Sequence, residues 1–143
     1  MRNMTPEKIV ELAKAYRTKF NTNNAIAIAQ ALGIKVITRN VNPSVFKAHI
    51  VKFDKYPAFI CINSSFSQIS QKVLCAHELG HAILHQDCCY NQFDTSADIV
   101  KQKMEYEANL FAVALLFNED DFIYRFTEMN NYMLKETLDL NIY

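Results

Sequence analysis

The chain has 143 residues, 50% of them apolar and 21% charged, with 15 basic and 15 acidic side chains. Such a composition excludes a disordered chain, and the length supports one domain with a real core. Zero net charge weighs against a dedicated nucleic-acid binder, and the longest apolar run, Leu110 to Phe117, is eight residues and far too short to span a bilayer. The N-terminus lacks the apolar core of a signal peptide, so a cytoplasmic protein is expected. Charge is unevenly spread: residues 1–60 hold ten Lys/Arg against three Asp/Glu, and residues 61–143 hold five against twelve. Two complementary halves of one fold account for this, and a basic face steering an acidic partner is the sharper alternative.

Pro6 opens a helix with an apolar stripe of Ile9, Val10, Leu12, Ala13 and Tyr16, and Thr5 is placed to cap it. A second helix is predicted from about Asn24 to Leu32, stopping at Gly33. Strands are expected at Ile34–Thr38, Val45–Phe53 and Ala58–Ile62, with a turn at Asn40–Pro43. From Ser67 the period turns helical, and Ile69, Val73, Ala76, Gly80, Ile83 and Leu84 line one side up to His85, with Ser65 or Ser67 as cap. Gln86 to Val100 reads as a surface loop. A helix from about Lys101 to Phe117 follows, apolar nearly all round in its second half and therefore buried. Asn118 caps a short helix at Glu119, and a last helix is expected over Glu128 to Leu138. These elements predict an α+β fold, with a small antiparallel sheet of about three strands packed against a helical bundle. The four cysteines form no CxxC pair, and Cys61 and Cys75 read as buried, reduced thiols.

One motif dominates, His77-Glu78-Leu79-Gly80-His81. Residues four apart on a helix share a face, so both imidazoles can reach one zinc ion at about 2.0–2.1 Å. Glu78, offset by one position, is then placed to hold a water and act as general base. Gly80 inside the helix costs about 1 kcal/mol relative to alanine, which close approach of a ligand or a second helix would explain. Catalytic zinc takes three protein ligands, and the candidates for the third are His85, Glu105 and Glu107. His85 lies one more turn along the same helix, roughly 6 Å on, and reads as a supporting or packing residue. Glu105 is the favoured ligand, because Asn109, four residues later on the same face, could steady a zinc-binding imidazole through its other ring nitrogen. Glu107 is the alternative, its plainer role being a charge in the first turn of the helix.

His77-Glu-Leu-Gly-His-Ala-Ile-Leu-His85, followed by Glu105-Tyr-Glu-Ala-Asn-Leu-Phe-Ala-Val-Ala-Leu-Leu116, resembles the ImmA/IrrE family of metallopeptidases over about residues 20 to 120. More distantly, the pattern is similar to thermolysin-like zinc peptidases, where the third ligand is a downstream Glu. One departure is Phe117-Asn118, where the family often has Met-Pro. The resemblance implies one zinc metallopeptidase domain over 1–143, with N-terminal helices and sheet at 1–63, zinc-site helices at 64–117 and C-terminal helices at 118–143. Zinc would be held by His77, His81 and Glu105, with Glu78 catalytic. The implied substrate is a separate helix-turn-helix repressor of a phage or mobile element, lying extended along an edge strand such as Val45–Phe53. Tyr90, His49 and Tyr106 are candidates for a second donor to the oxyanion. A zinc-containing regulator that binds its partner without proteolysis is the alternative function. Asn24–Ile34 faintly resembles one helix of a helix-turn-helix, yet a strand-like segment follows it where a recognition helix would be needed. No contact with nucleic acid or membrane is expected, and the sequence gives no oligomeric state.

Overall fold

The computed structural model describes residues 4–53, 56–86 and 98–143. Helix α1 (Pro6–Phe20) starts at Thr5, whose hydroxyl accepts from the Lys8 amide at 3.2 Å, and buries Ile9, Val10 and Ala13. Helix α2 (Ala25–Ala31) is capped by Asn24 and ends at Gly33, which takes the left-handed φ of +83° that a side chain would strain. There the Gly33 and Ile34 amides bond back to Gln30 and Ala29 at 3.0 and 2.9 Å, which satisfies two terminal carbonyls and turns the chain directly into a strand. No second helix stands where a helix-turn-helix would place its reader.

The strands are β1 (Lys35–Arg39), β2 (Ala48–Phe53) and β3 (Tyr56–Asn63), in the order β1-β3-β2. The sheet is mixed and so corrects the antiparallel expectation: β2 runs antiparallel to β3, but β1 runs parallel to it. The reason is hydrophobicity. β3 carries the continuous apolar run, with Ile60 and Ile62 fully buried, so it takes the centre and the chain crosses past it between β1 and β2. Buried Asn63 fixes that crossing, donating to the Phe46 carbonyl at 2.9 Å and accepting from the Val41 and Ser65 amides. β2 begins at Ala48, not Val45, because Asn42 closes a turn on the Ser44 amide and hydroxyl and the Val45 amide bonds to the Asn42 carbonyl.

Helix α3 (Gln68–Leu84) is capped by Ser67, and helix α4 (Asp98–Leu116) starts three residues before the expected Lys101. The expected loop is thus helical from Asp98, while Cys88, Cys89 and Tyr90 lie outside the described residues. Short 3-10 turns at Glu119–Asp121 and Phe126–Glu128 precede helix α5 (Asn131–Asp139), which begins three residues later than expected because Asn130 caps it, accepting from the Met133 amide. The core joins α1, α2 and the sheet to α3, α4 and α5 through Ile28, Ile60, Leu79, Phe111, Phe126 and Leu134, all fully buried. Beyond α5 the chain docks on the first turn of α3. The Ser67 amide donates to the Tyr143 carbonyl at 2.9 Å, and the buried Ser70 hydroxyl accepts from the Tyr143 amide at 2.6 Å.

Candidate metal centre

Helices α3 and α4 pack closely at Gly80, where a Cβ would stand 3.0 Å from the Ala108 carbonyl oxygen. That approach explains the glycine and brings the polar face of α4 against His77 and His81. Glu105 spans both rings: His77 Nε2 lies 3.2 Å from Oε2, and His81 Nε2 lies 3.0 Å from Oε1. The two imidazoles stand nearly perpendicular, 4.8 Å apart. One ligand atom each from His77, His81 and Glu105 falls within 4.8 Å of the others, so this group could hold a metal ion.

The outer partners explain how the rings are held. Asn109 Nδ2 donates to Asn131 Oδ1 at 2.7 Å, leaving Asn109 Oδ1 to accept from His77 Nδ1–H at 2.7 Å. A neutral His77 with its proton on Nδ1 turns a bare Nε2 lone pair toward a Glu105 oxygen. Two acceptors 3.2 Å apart call for a cation between them. Without metal a proton takes that place: burial, which opposes the charged ring, is outweighed by Glu105, Glu78 and Asn109, and His77 sits above its ordinary range. For His81 burial prevails over Glu105, and its pKa is lowered. Burial also works against ionisation of Glu105, but the hydrogen bonds of both imidazoles hold it well below the usual carboxylate range. Two imidazole nitrogens and a carboxylate, with the imidazoles held from behind, suit a divalent metal in chemistry and number.

Glu78 lies next to His77 on α3 and is 9% exposed. Burial pushes its carboxyl up to about 7, with Glu105 adding to the shift and His77 opposing it. His77, Glu78, Glu105 and Asn109 line one cleft of about 190 Å³, together with Ala48 at the start of β2, Lys47 just before it, and Leu138 and Ile142 from the C-terminal region. Neither His49 nor Tyr106 lines it. His49 is exposed on β2 beside Phe46, and Tyr106 packs against the core. His85 and Glu107 pair with each other behind His81, which places Glu107 outside the ligand group. The sequence offered one clue to this pair, since His85 repeats the four-residue spacing of the motif. Nothing in it pointed to Asn131, Lys47 or Ile142, which arrive from distant elements.

A family model described as Peptidase_M78, IrrE N-terminal-like domain, matches residues 29–140. The chain belongs to this family. A relative from Bacillus phage phi105, named "Uncharacterized immunity region protein 2", is 32% identical over 117 residues, covering 81% of this chain and 73% of its own length. No solved structure matches the chain. The matched residues include both helices that carry His77, His81 and Glu105. Among the described residues no helix is long and apolar enough to cross a membrane.

Proposed function

We propose that this IrrE-like chain is a cytoplasmic zinc metallopeptidase, a single domain over residues 1–143, that cleaves a separate helix-turn-helix repressor of a phage or mobile element. The observation that carries the reading is the group His77, His81 and Glu105 beside buried Glu78 at the wall of one cleft. The peptidase family supports the reaction type, and the relative named for an immunity region supports a regulatory protein as substrate. His77, His81 and Glu105 would hold one zinc ion, which when bound supplies Lewis acidity to water and to the carbonyl oxygen of the substrate. Glu78 takes the proton of the attacking water and delivers it to the leaving amine. Its carboxyl, next to His77 on α3 and at the wall of the cleft, is placed to exchange a proton with a bound water. Strand β2 pairs with β3 alone among the described strands, and its first residue, Ala48, borders the cleft. An extended substrate segment added to that edge would pass the ligand group.

The test is zinc content and repressor cleavage, measured on wild type, Glu105→Ala and Glu78→Gln. About one zinc per wild-type chain, lost in Glu105→Ala but kept in an inactive Glu78→Gln, is expected. Full biological effect from Glu78→Gln would instead favour the regulator that binds its partner without cutting it.

A further inference from the structure

We propose that Glu107 and His85 form a hydrogen-bonded relay that fixes the proton of His81 on Nδ1 and so presents its Nε2 as a metal ligand. The proposal rests on the metal-centre reading above. His85 caps α3, four residues after His81, and its ring reaches a partner at each nitrogen: His81 Nδ1 lies 3.0 Å from His85 Nδ1, and Glu107 Oε1 lies 3.0 Å from His85 Nε2. A packing histidine needs no such pair of partners. The backbone of the residue is held as well, since its N–H donates to the His81 carbonyl at 2.9 Å and Lys52 Nζ donates to its carbonyl at 2.5 Å.

The direction of the relay follows from what each group can do. A carboxylate only accepts, so His85 donates to Glu107 through Nε2–H. The Nδ1 of a neutral His85 is then an acceptor, and His81 must donate to it through its own Nδ1–H. His81 Nε2 is left bare, 3.0 Å from Glu105 Oε1, at the place where the ligand atoms converge. Reversing any one hydrogen bond would set two lone pairs against each other within the relay. Glu107 stands two residues from Glu105 on α4, a spacing that puts the two side chains on different sides of the helix. One glutamate therefore faces the metal while the other sits behind the imidazole. The two ligands are supported unequally: His77 by the neutral amides of Asn109 and Asn131, His81 by a chain that ends in a carboxylate.

The first test places the protons directly. Long-range ¹H–¹⁵N spectra of the ¹⁵N-labelled full chain, loaded with zinc, report which ring nitrogen of each histidine is protonated. His85 is expected to carry its proton on Nε2 with Nδ1 bare, and the opposite tautomer would overturn the relay. The second test is zinc affinity, read by competition with a chromophoric chelator. Glu107→Met and His85→Leu are each expected to bind zinc about 10–100-fold more weakly. The double variant should be no weaker than the worse single one, and Glu107→Gln, whose amide oxygen still accepts, should bind as wild type does. Unchanged affinity in both single variants, or losses that add in the double, would overturn the proposal while leaving the metal centre standing. A wild type that binds no zinc would overturn both. Should a variant fail to fold, the tautomer of wild-type His85 still decides.

Discussion

A methyl group at position 80 would lie 3.0 Å from the carbonyl oxygen of Ala108 and 3.1 Å from its Cα. Both are backbone atoms, so the helices would have to move apart. Gly80→Ala is therefore expected to destabilise by about 1–3 kcal/mol in urea despite alanine's better helix propensity, which alone favours it by about 1 kcal/mol. The clash also displaces Glu105 from the imidazoles, and weakened metal binding should accompany the lost stability. Cys75 makes a simpler case. It is fully buried, and burial, reinforced by Glu78, pushes its thiol up to about 12. Native protein at pH 8 should leave this thiol unlabelled by iodoacetamide, whereas unfolded protein should alkylate it readily. At this scale the pairs His77/His81 and Glu105/Asn109 were legible in the sequence, because each rests on a four-residue spacing within one helix. The His85–Glu107 pair was not, since it depends on how two helices cross.

Helix α4 ends without a basic residue in its own last turn, and the first helix and the turn after it make up the lack. Arg17 donates to the Leu115 and Phe117 carbonyls at 3.3 and 3.2 Å, and Asn23 donates to the Leu116 carbonyl at 3.0 Å. These are the orphan acceptors of a helix C-terminus, met here by a cation and an amide from the other end of the chain. Arg17→Ala should cost about 1–3 kcal/mol, measured by denaturation, and should open α4 from its C-terminal end in hydrogen exchange. Helices were readable because their caps are local: Thr5 and Asn118 cap as their positions suggested, Ser67 rather than Ser65 caps α3, and Asn24, expected as the first residue of α2, caps it. Strand order was not. Alternation locates β1, β2 and β3, but which strand lies between the others depends on where the most apolar one must be buried. Asn130 displaced the start of α5 because an asparagine cap outweighed the apolar periodicity before it.

For the molecule as a whole, the metal-free protein carries an acidic group whose pKa is raised on folding. Glu78 moves from 4.5 to about 7 through burial, so between those values the folded state binds more protons than the unfolded one. Stability must then fall as pH rises through that window, by about 1–3 kcal/mol. Glu78→Gln should remove the dependence, raising the melting temperature of metal-free protein at pH 8 and changing it little at pH 4. Glu105 acts in the opposite sense: its depressed pKa contributes stability above the ordinary carboxylate range that is lost as pH falls. Metal would reverse the penalty at Glu78 by placing positive charge beside it. Zinc at a thousandfold excess over its dissociation constant should add about 4 kcal/mol, and a chelator should abolish the gain.

The cleft draws on segments far apart in the order of synthesis. The group that could hold a metal lies between His77 and Glu105, yet the amide behind His77 is completed by Asn131, and part of the apolar wall comes from Leu138 and Ile142. A chain still emerging from the ribosome thus carries His77, His81 and Glu105 before it has Asn131 to orient the first of them or Leu138 and Ile142 to wall the cleft. Ile142, which lines the cleft, directly precedes Tyr143, whose backbone is bonded to Ser67 and Ser70. On the proposed reading, the side chains that would hold zinc are thus synthesised before the walls of the cleft that would admit a substrate.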